Sequence, residues 1–145
     1  MNEITRITIK SSSGYCSVDE AYSDRLTITA CSIAYEYIPE IEYGLNKRRK
    51  WSYRSNSPVF ASIFDKICDM MPDILHNDEI LMAVDLGPIS FSVTYKDKTR
   101  DCTSYYCSSN YFYDLFKLIK QLVPEPEYVP VVLLTDDDYD DEKDE

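Results

Sequence analysis

Between Ser57 and Met71 the apolar residues Val59, Phe60, Ile63, Phe64, Ile67, Cys68 and Met71 recur by one and three positions, a spacing that an α-helix gathers onto one side. Ser57 can accept from an orphan amide of the first turn, and Pro58 fits the first helical position, where its missing N–H has no partner to lose. Pro72 is expected to stop the helix. A helix this one-sided gains its stability from an apolar surface to lie on, and the flanking sequence reads as strands. Its opposite edge carries Asp65 and Asp69, with Asp73 just past the expected end, four residues apart so that they line up as an acidic edge.

Thr5, Ile7 and Ile9 alternate with Arg6 and Thr8, which predicts a first strand over Glu3 to Ile9. Lys10 to Asp24 is rich in serine and reads as a loop. Leu26, Ile28 and Ala30 alternate within Arg25 to Cys31, and Ile33, Tyr35 and Tyr37 resume the pattern after a tight connection near Cys31 and Ser32. Pro39 ends that run. Glu40 to Asn56 lacks clean periodicity and reads as an extended connection, with Lys50 to Tyr53 a candidate strand.

Beyond the helix, Ile80, Met82, Val84 and Leu86 alternate, Gly87 and Pro88 supply a turn, and Ile89, Phe91, Val93 and Tyr95 alternate again, as in a hairpin. Thr99 to Cys107 makes one more strand. Ser109 or Asn110 caps a second helix whose stripe is Phe112, Leu115, Phe116, Ile119, Leu122 and Val123, ended by Pro124. Val131 to Leu134 is apolar enough to pack or pair at an edge. The order βββαβββα predicts a two-layer α+β domain, an antiparallel sheet of five to six strands with both helices on one face. Residues 1–135 are expected to form this domain, and 136–145 a disordered acidic tail.

A chain of 145 residues with only 3 glycines suits one ordered domain with its own core. Five cysteines make an odd count without a Cys-x-x-Cys pair, which predicts reduced thiols. The N-terminus is polar and alternating, unlike a signal peptide or anchor, and no apolar run reaches membrane-spanning length, so a cytoplasmic protein with no membrane partner is expected.

The net charge of −11 is unevenly placed. Residues 136–145 carry eight acids and one lysine, a net of −7. Lys47, Arg48, Arg49, Lys50 and Arg54 form one basic patch, interleaved with Trp51 and Tyr53, a composition suited to phosphate contact with aromatic stacking. Against direct nucleic-acid binding stands the acidity of the rest, including a tail able to occupy that patch itself.

Catalytic chemistry finds few candidates. His76 is the one imidazole and lies in a polar bend beside Asn77 and Asp78, where a solvated surface accounts for it. No Gly-rich phosphate loop or His-Glu-x-x-His is present, and Cys102 and Cys107 fall on opposite sides of a strand without a second pair to complete a zinc site. No cofactor, no metal and no enzymatic role are expected. Spaced acids are more informative: Asp65, Asp69 and Asp73 on the helix, Glu36, Glu40 and Glu42 after the third strand, and Asp19, Glu20 and Asp24 in the first loop, with tyrosines such as Tyr35 and Tyr37, are suited to a basic protein partner.

The segment Lys10, Ser11, Ser12, Ser13, Gly14, Tyr15 stands where emfourin-type inhibitors of thermolysin-like metalloproteases have a basic residue, serine, two glycines and an aromatic residue after their first strand. In element order over residues 3–123 the chain resembles that family, although the double glycine is replaced and neither the basic patch nor the acidic tail has a counterpart. The charge pattern is also similar, at the level of class, to acidic antagonists of bacterial defence nucleases such as anti-CRISPR proteins. The resemblances imply a small inhibitor. The expected function is therefore non-catalytic inhibition or modulation of a basic protein, a nuclease or other nucleic-acid-handling protein suiting the charge pattern. The expected contact residues are Asp65, Asp69, Asp73, Glu36, Glu40, Glu42, Tyr35 and Tyr37. One alternative is an emfourin-like protease inhibitor; another is a nucleic-acid binder through Lys47, Arg48, Arg49, Lys50, Trp51 and Arg54, regulated by the tail.

Overall fold

A computed structural model of the chain describes residues 3–13, 16–17, 20–44, 46–76 and 87–135. Among the described residues six strands form, β1 (Ile4–Ser12), β2 (Tyr22–Thr29), β3 (Ser32–Pro39), β4 (Arg49–Arg54), β5 (Ile89–Tyr95) and β6 (Arg100–Tyr105). They pair in the antiparallel order β4-β3-β2-β1-β5-β6 as one open sheet. Two helices, α1 (Pro58–Leu75) and α2 (Tyr113–Lys120), make this a two-layer α+β fold.

Register explains why both helices share a face. Ile9 pairs with Leu26 and Phe91, Leu26 with Tyr35, and Tyr35 with Trp51, so one row of large side chains crosses the sheet on one side. Ile7, Ile28, Ile33 and Val93 form the next row of that face. From α1, Phe60, Phe64, Ile67, Met71 and Leu75 are buried against this surface, and from α2 Leu115, Phe116 and Ile119. Phe91 is the aromatic centre: its ring lies 4.8 Å from that of Phe112 and 6.3 Å from that of Phe116. Full burial of each such side chain contributes about 1.5–3 kcal/mol, which is why the greasy stripes rather than helix propensity fix the layering.

Several expectations change in detail. Four strands precede α1, because the candidate at Lys50 to Tyr53 is a full edge strand, Arg49–Arg54. The serine-rich loop is shorter than read, since β1 runs through Ser12 and β2 starts at Tyr22. The β2–β3 connection is a two-residue turn at Ala30 and Cys31. Ser57 does cap α1, accepting from the Val59 amide at 3.2 Å, but Pro72 lies inside the helix, which continues to Leu75. The ring removes one donor from the ladder, while the apolar stripe carries on to Met71 and Leu75 and holds the last turn in place. Val59 is 66% exposed, turned away from the line of Phe60, Phe64 and Ile67. The second helix begins later than expected: Ser108 caps a 3-10 turn at Ser109–Phe112, and α2 follows.

Val131–Leu133 is a 3-10 turn that docks on the helix-covered side, with Val132 and Leu133 buried. The strand read at Ile80 to Leu86 and the acidic tail at 136–145 lie outside the described residues.

Candidate functional site

The C-terminal half of α1 and the start of β1 enclose a groove of about 690 Å³. Asp65 and Asp69, one turn apart on α1, meet Glu3 at its rim, and Ile4, Cys68, Pro72, Leu75 and Tyr95 line it. All three carboxylates are exposed. The groove therefore offers three negative charges above an apolar and aromatic lining, the arrangement that takes a lysine or arginine by its aliphatic stem and its charged head. The Cys68 thiol registers the local field: burial first, then Asp65, Asp69 and Glu3, pushes its pKa up to about 12, so it is a neutral packing group at ordinary pH.

The other expected contact residues are scattered. Asp73 is exposed on α1 but does not line the groove. Glu36 points to the opposite, helix-free side of the sheet, where it pairs with Arg48; that hydrogen bond holds its carboxyl below the usual range. Glu42 accepts from the Arg48 amide at 2.9 Å, and Glu40 is exposed after β3. The acids do not form one surface, because strand parity sends Glu36 away from α1.

Tyr35 and Tyr37 are not surface contacts. They are 4% and 7% exposed, on the helix-covered face with Ile33. Tyr37 stacks on Tyr22 at 5.0 Å beneath the Arg49 guanidinium, 4.2 Å from its ring centre, and its hydroxyl donates to Asn46. The Tyr35 hydroxyl donates to Asp24 at 2.8 Å. Asp24, expected in a solvated loop, is a buried β2 residue whose carboxylate also accepts from the Ser11 hydroxyl and from the amides of Ser11 and Val132. Burial pushes its pKa up against those hydrogen bonds. The signal was present in the sequence: Asp24 shares parity with Leu26 and Ile28.

The basic stretch divides in the same way. Lys50 and Arg54 pair with Glu36 and Ser32 on the helix-free face, whereas Arg49, Trp51 and Tyr53 pair with Tyr37, Tyr35 and Ile33 on the covered one. Trp51 stacks on Tyr128 at 5.8 Å, and Lys47 is exposed before β4. The interleaving of cations with stacking rings, read along the chain, is therefore split across two faces.

His76 is exposed at the end of α1, 3.8 Å from Asp101. Cys102 is exposed and Cys107 buried. Among the described residues no three His, Cys, Asp or Glu side chains group as a metal site, and no helix is long and apolar enough to cross a membrane. No protein-family model matches the chain, and no curated protein matches it in sequence.

Proposed function

We propose that the protein is a non-catalytic binding module that inhibits or modulates a basic protein, taking a Lys or Arg side chain of that partner in the groove between α1 and β1. The observation that carries this reading is the meeting of Glu3, Asp65 and Asp69 over Ile4, Leu75 and Tyr95. Tyr95, not Tyr35 or Tyr37, supplies the aromatic contact of the groove in this reading. A nuclease or other nucleic-acid-handling protein suits this chemistry, because its own basic surface carries the side chains the groove selects; antagonism of such a protein, as in anti-defence proteins, is the specific form of the proposal. A carboxylate-only enzyme would need one acid held protonated by burial near its partner, and the three here stand at an exposed rim.

Capture of a partner on the immobilised full chain tests the proposal. A partner retained at low salt should be released as the Debye length falls from about 10 Å at 0.1 M to about 3 Å at 1 M, and should not be retained by Asp65→Lys/Asp69→Lys. Equal retention by wild type and the double variant would overturn it. Inhibition of a thermolysin-type protease that survives the double variant would favour the emfourin-like reading instead.

A further inference from the structure

Every helical segment described packs on one side of the sheet: α1 through Phe60 on Tyr53, the segment around Phe112 and Phe116 on Phe91, and the C-terminal turns through Tyr128 on Trp51 and Val131 on Tyr35. On the other side, register brings together six cations that are distant in sequence: Arg6, Lys10, Arg25, Lys50, Arg54 and Arg100. All six are exposed, and among the described strand residues of that face Glu36 is the only carboxylate, already paired with Arg48. In a chain of net charge −11, the described strand residues of this one face thus carry six cations and one carboxylate.

We propose that this helix-free sheet face binds the phosphodiester backbone of double-stranded nucleic acid. Three features point to that ligand. The cations stand among small hydroxyl residues, Thr27, Ser90, Ser92 and Ser104, so guanidinium and ammonium groups lie beside neutral donors, the set that contacts phosphate oxygens. A depression of about 420 Å³ gathers Lys10, Arg100, Thr8 and the Ser90–Ser104 hydroxyl pair, which lie 2.7 Å apart. Finally, Lys10 lies directly across from Arg25, and although Arg25 faces Glu36 on its other side, that carboxylate is shared with Arg48 and Lys50, so the row keeps an excess of positive charge for an anion to meet. The choice of duplex over single strand follows from parity: the strand aromatics Trp51, Tyr53, Phe91 and Tyr105 are on the covered face, so the paired strand residues of the open one offer no ring on which bases could stack. This surface is separate from the acidic groove, and its test does not depend on that reading.

Fluorescence anisotropy of a short labelled DNA duplex with the full chain, titrated from low to high salt, tests the proposal. Wild type should bind with an affinity that falls linearly in log–log form against salt. Lys10→Gln/Arg25→Gln/Lys50→Gln should weaken binding at least about ten-fold and reduce the salt slope by roughly 3, near 0.9 per lost phosphate contact. Arg6→Gln/Arg100→Gln, in another row, should weaken it as well, so that misfolding of one variant does not leave the outcome open. Asp65→Lys/Asp69→Lys should retain binding. The proposal is overturned by absence of binding at the lowest salt, by equal binding of wild type and both neutralised variants, by a single strand that outcompetes the duplex, or by polyglutamate that displaces it equally per charge; the last result would assign the face to an acidic protein.

Discussion

The Asp24 carboxylate accepts the Val132 amide at 3.1 Å across a separation of 108 residues, closing the C-terminal segment onto the second strand. Tyr35 completes the clamp, donating to Asp24 and accepting from the Val131 amide at 3.2 Å. Removal of the carboxylate by Asp24→Ala leaves buried donors without a partner and should cost about 3 kcal/mol in urea unfolding. Tyr35→Phe should cost less, about 1 kcal/mol, because the half-buried Val131 amide can turn to water. Hydrogen exchange at Val132 should accelerate in Asp24→Ala. An unchanged exchange rate would show that the clamp does not hold the segment.

The same carboxyl sets a pH dependence. Its folded pKa is raised, with burial the largest cause, so between the unfolded value of 3.8 and the folded value the native state binds more protons than the unfolded chain. Its contribution to stability is therefore fullest below 3.8 and falls as pH rises through the folded value, with no further loss above it. Wild type should lose stability relative to Asp24→Asn over that interval, read from urea midpoints at stepped pH. A relative gain would reverse the sign of the assigned shift.

Cys68 should report the charge of the groove. With its thiol pKa pushed up to about 12, it should alkylate far more slowly than the exposed Cys16, Cys31 and Cys102. Asp65→Asn/Asp69→Asn should move its pH–rate profile to lower pH, since each unit of pKa is ten-fold in thiolate below the midpoint. A profile unmoved by the double variant would mean that Asp65 and Asp69 exert no field at the thiol, where a cation would lie.

Pro72 interrupts the α1 ladder at an exposed position. Pro72→Ala restores a donor inside a helix already held to Leu75 and should stabilise the protein by about 1 kcal/mol or more in thermal or urea unfolding. Loss of stability would show that the ring's packing along the groove outweighs the missing hydrogen bond.

Gly87 has the opposite character. A Cβ there would stand 1.9 Å from the Ser12 carbonyl oxygen, backbone against backbone, with no flexible side chain to yield. Gly87→Ala should destabilise by about 3 kcal/mol as the end of β1 moves aside. A near-neutral variant would mean that this approach relaxes without cost.

Much of this architecture is legible in the chain itself, because period two and period 3.6 are local properties. Ile7, Ile9, Leu26, Ile28 and Phe91 declare their common face without coordinates, and so do Phe60, Phe64 and Ile67 on α1. Pro72 misleads as a stop signal, since a proline's local penalty is smaller than the packing of the turn beyond it. Asp24 misleads for a related reason: its parity says buried, its charge says exposed, and only the tertiary arrangement of Ser11, Tyr35 and Val132 supplies the donors that let parity win.

Local pattern by itself determined that this chain makes an open antiparallel sheet with two amphipathic helices on one side, because each element's apolar spacing specifies which of its faces must leave water. Strand order and register decided the rest. They placed Lys10 across from Arg25 and in one face with Lys50 and Arg100, and set Glu3 beside Asp65 and Asp69. Charge does not repeat with the period of an element, and the neighbours of a charged side chain are fixed by pairing between segments far apart in the chain.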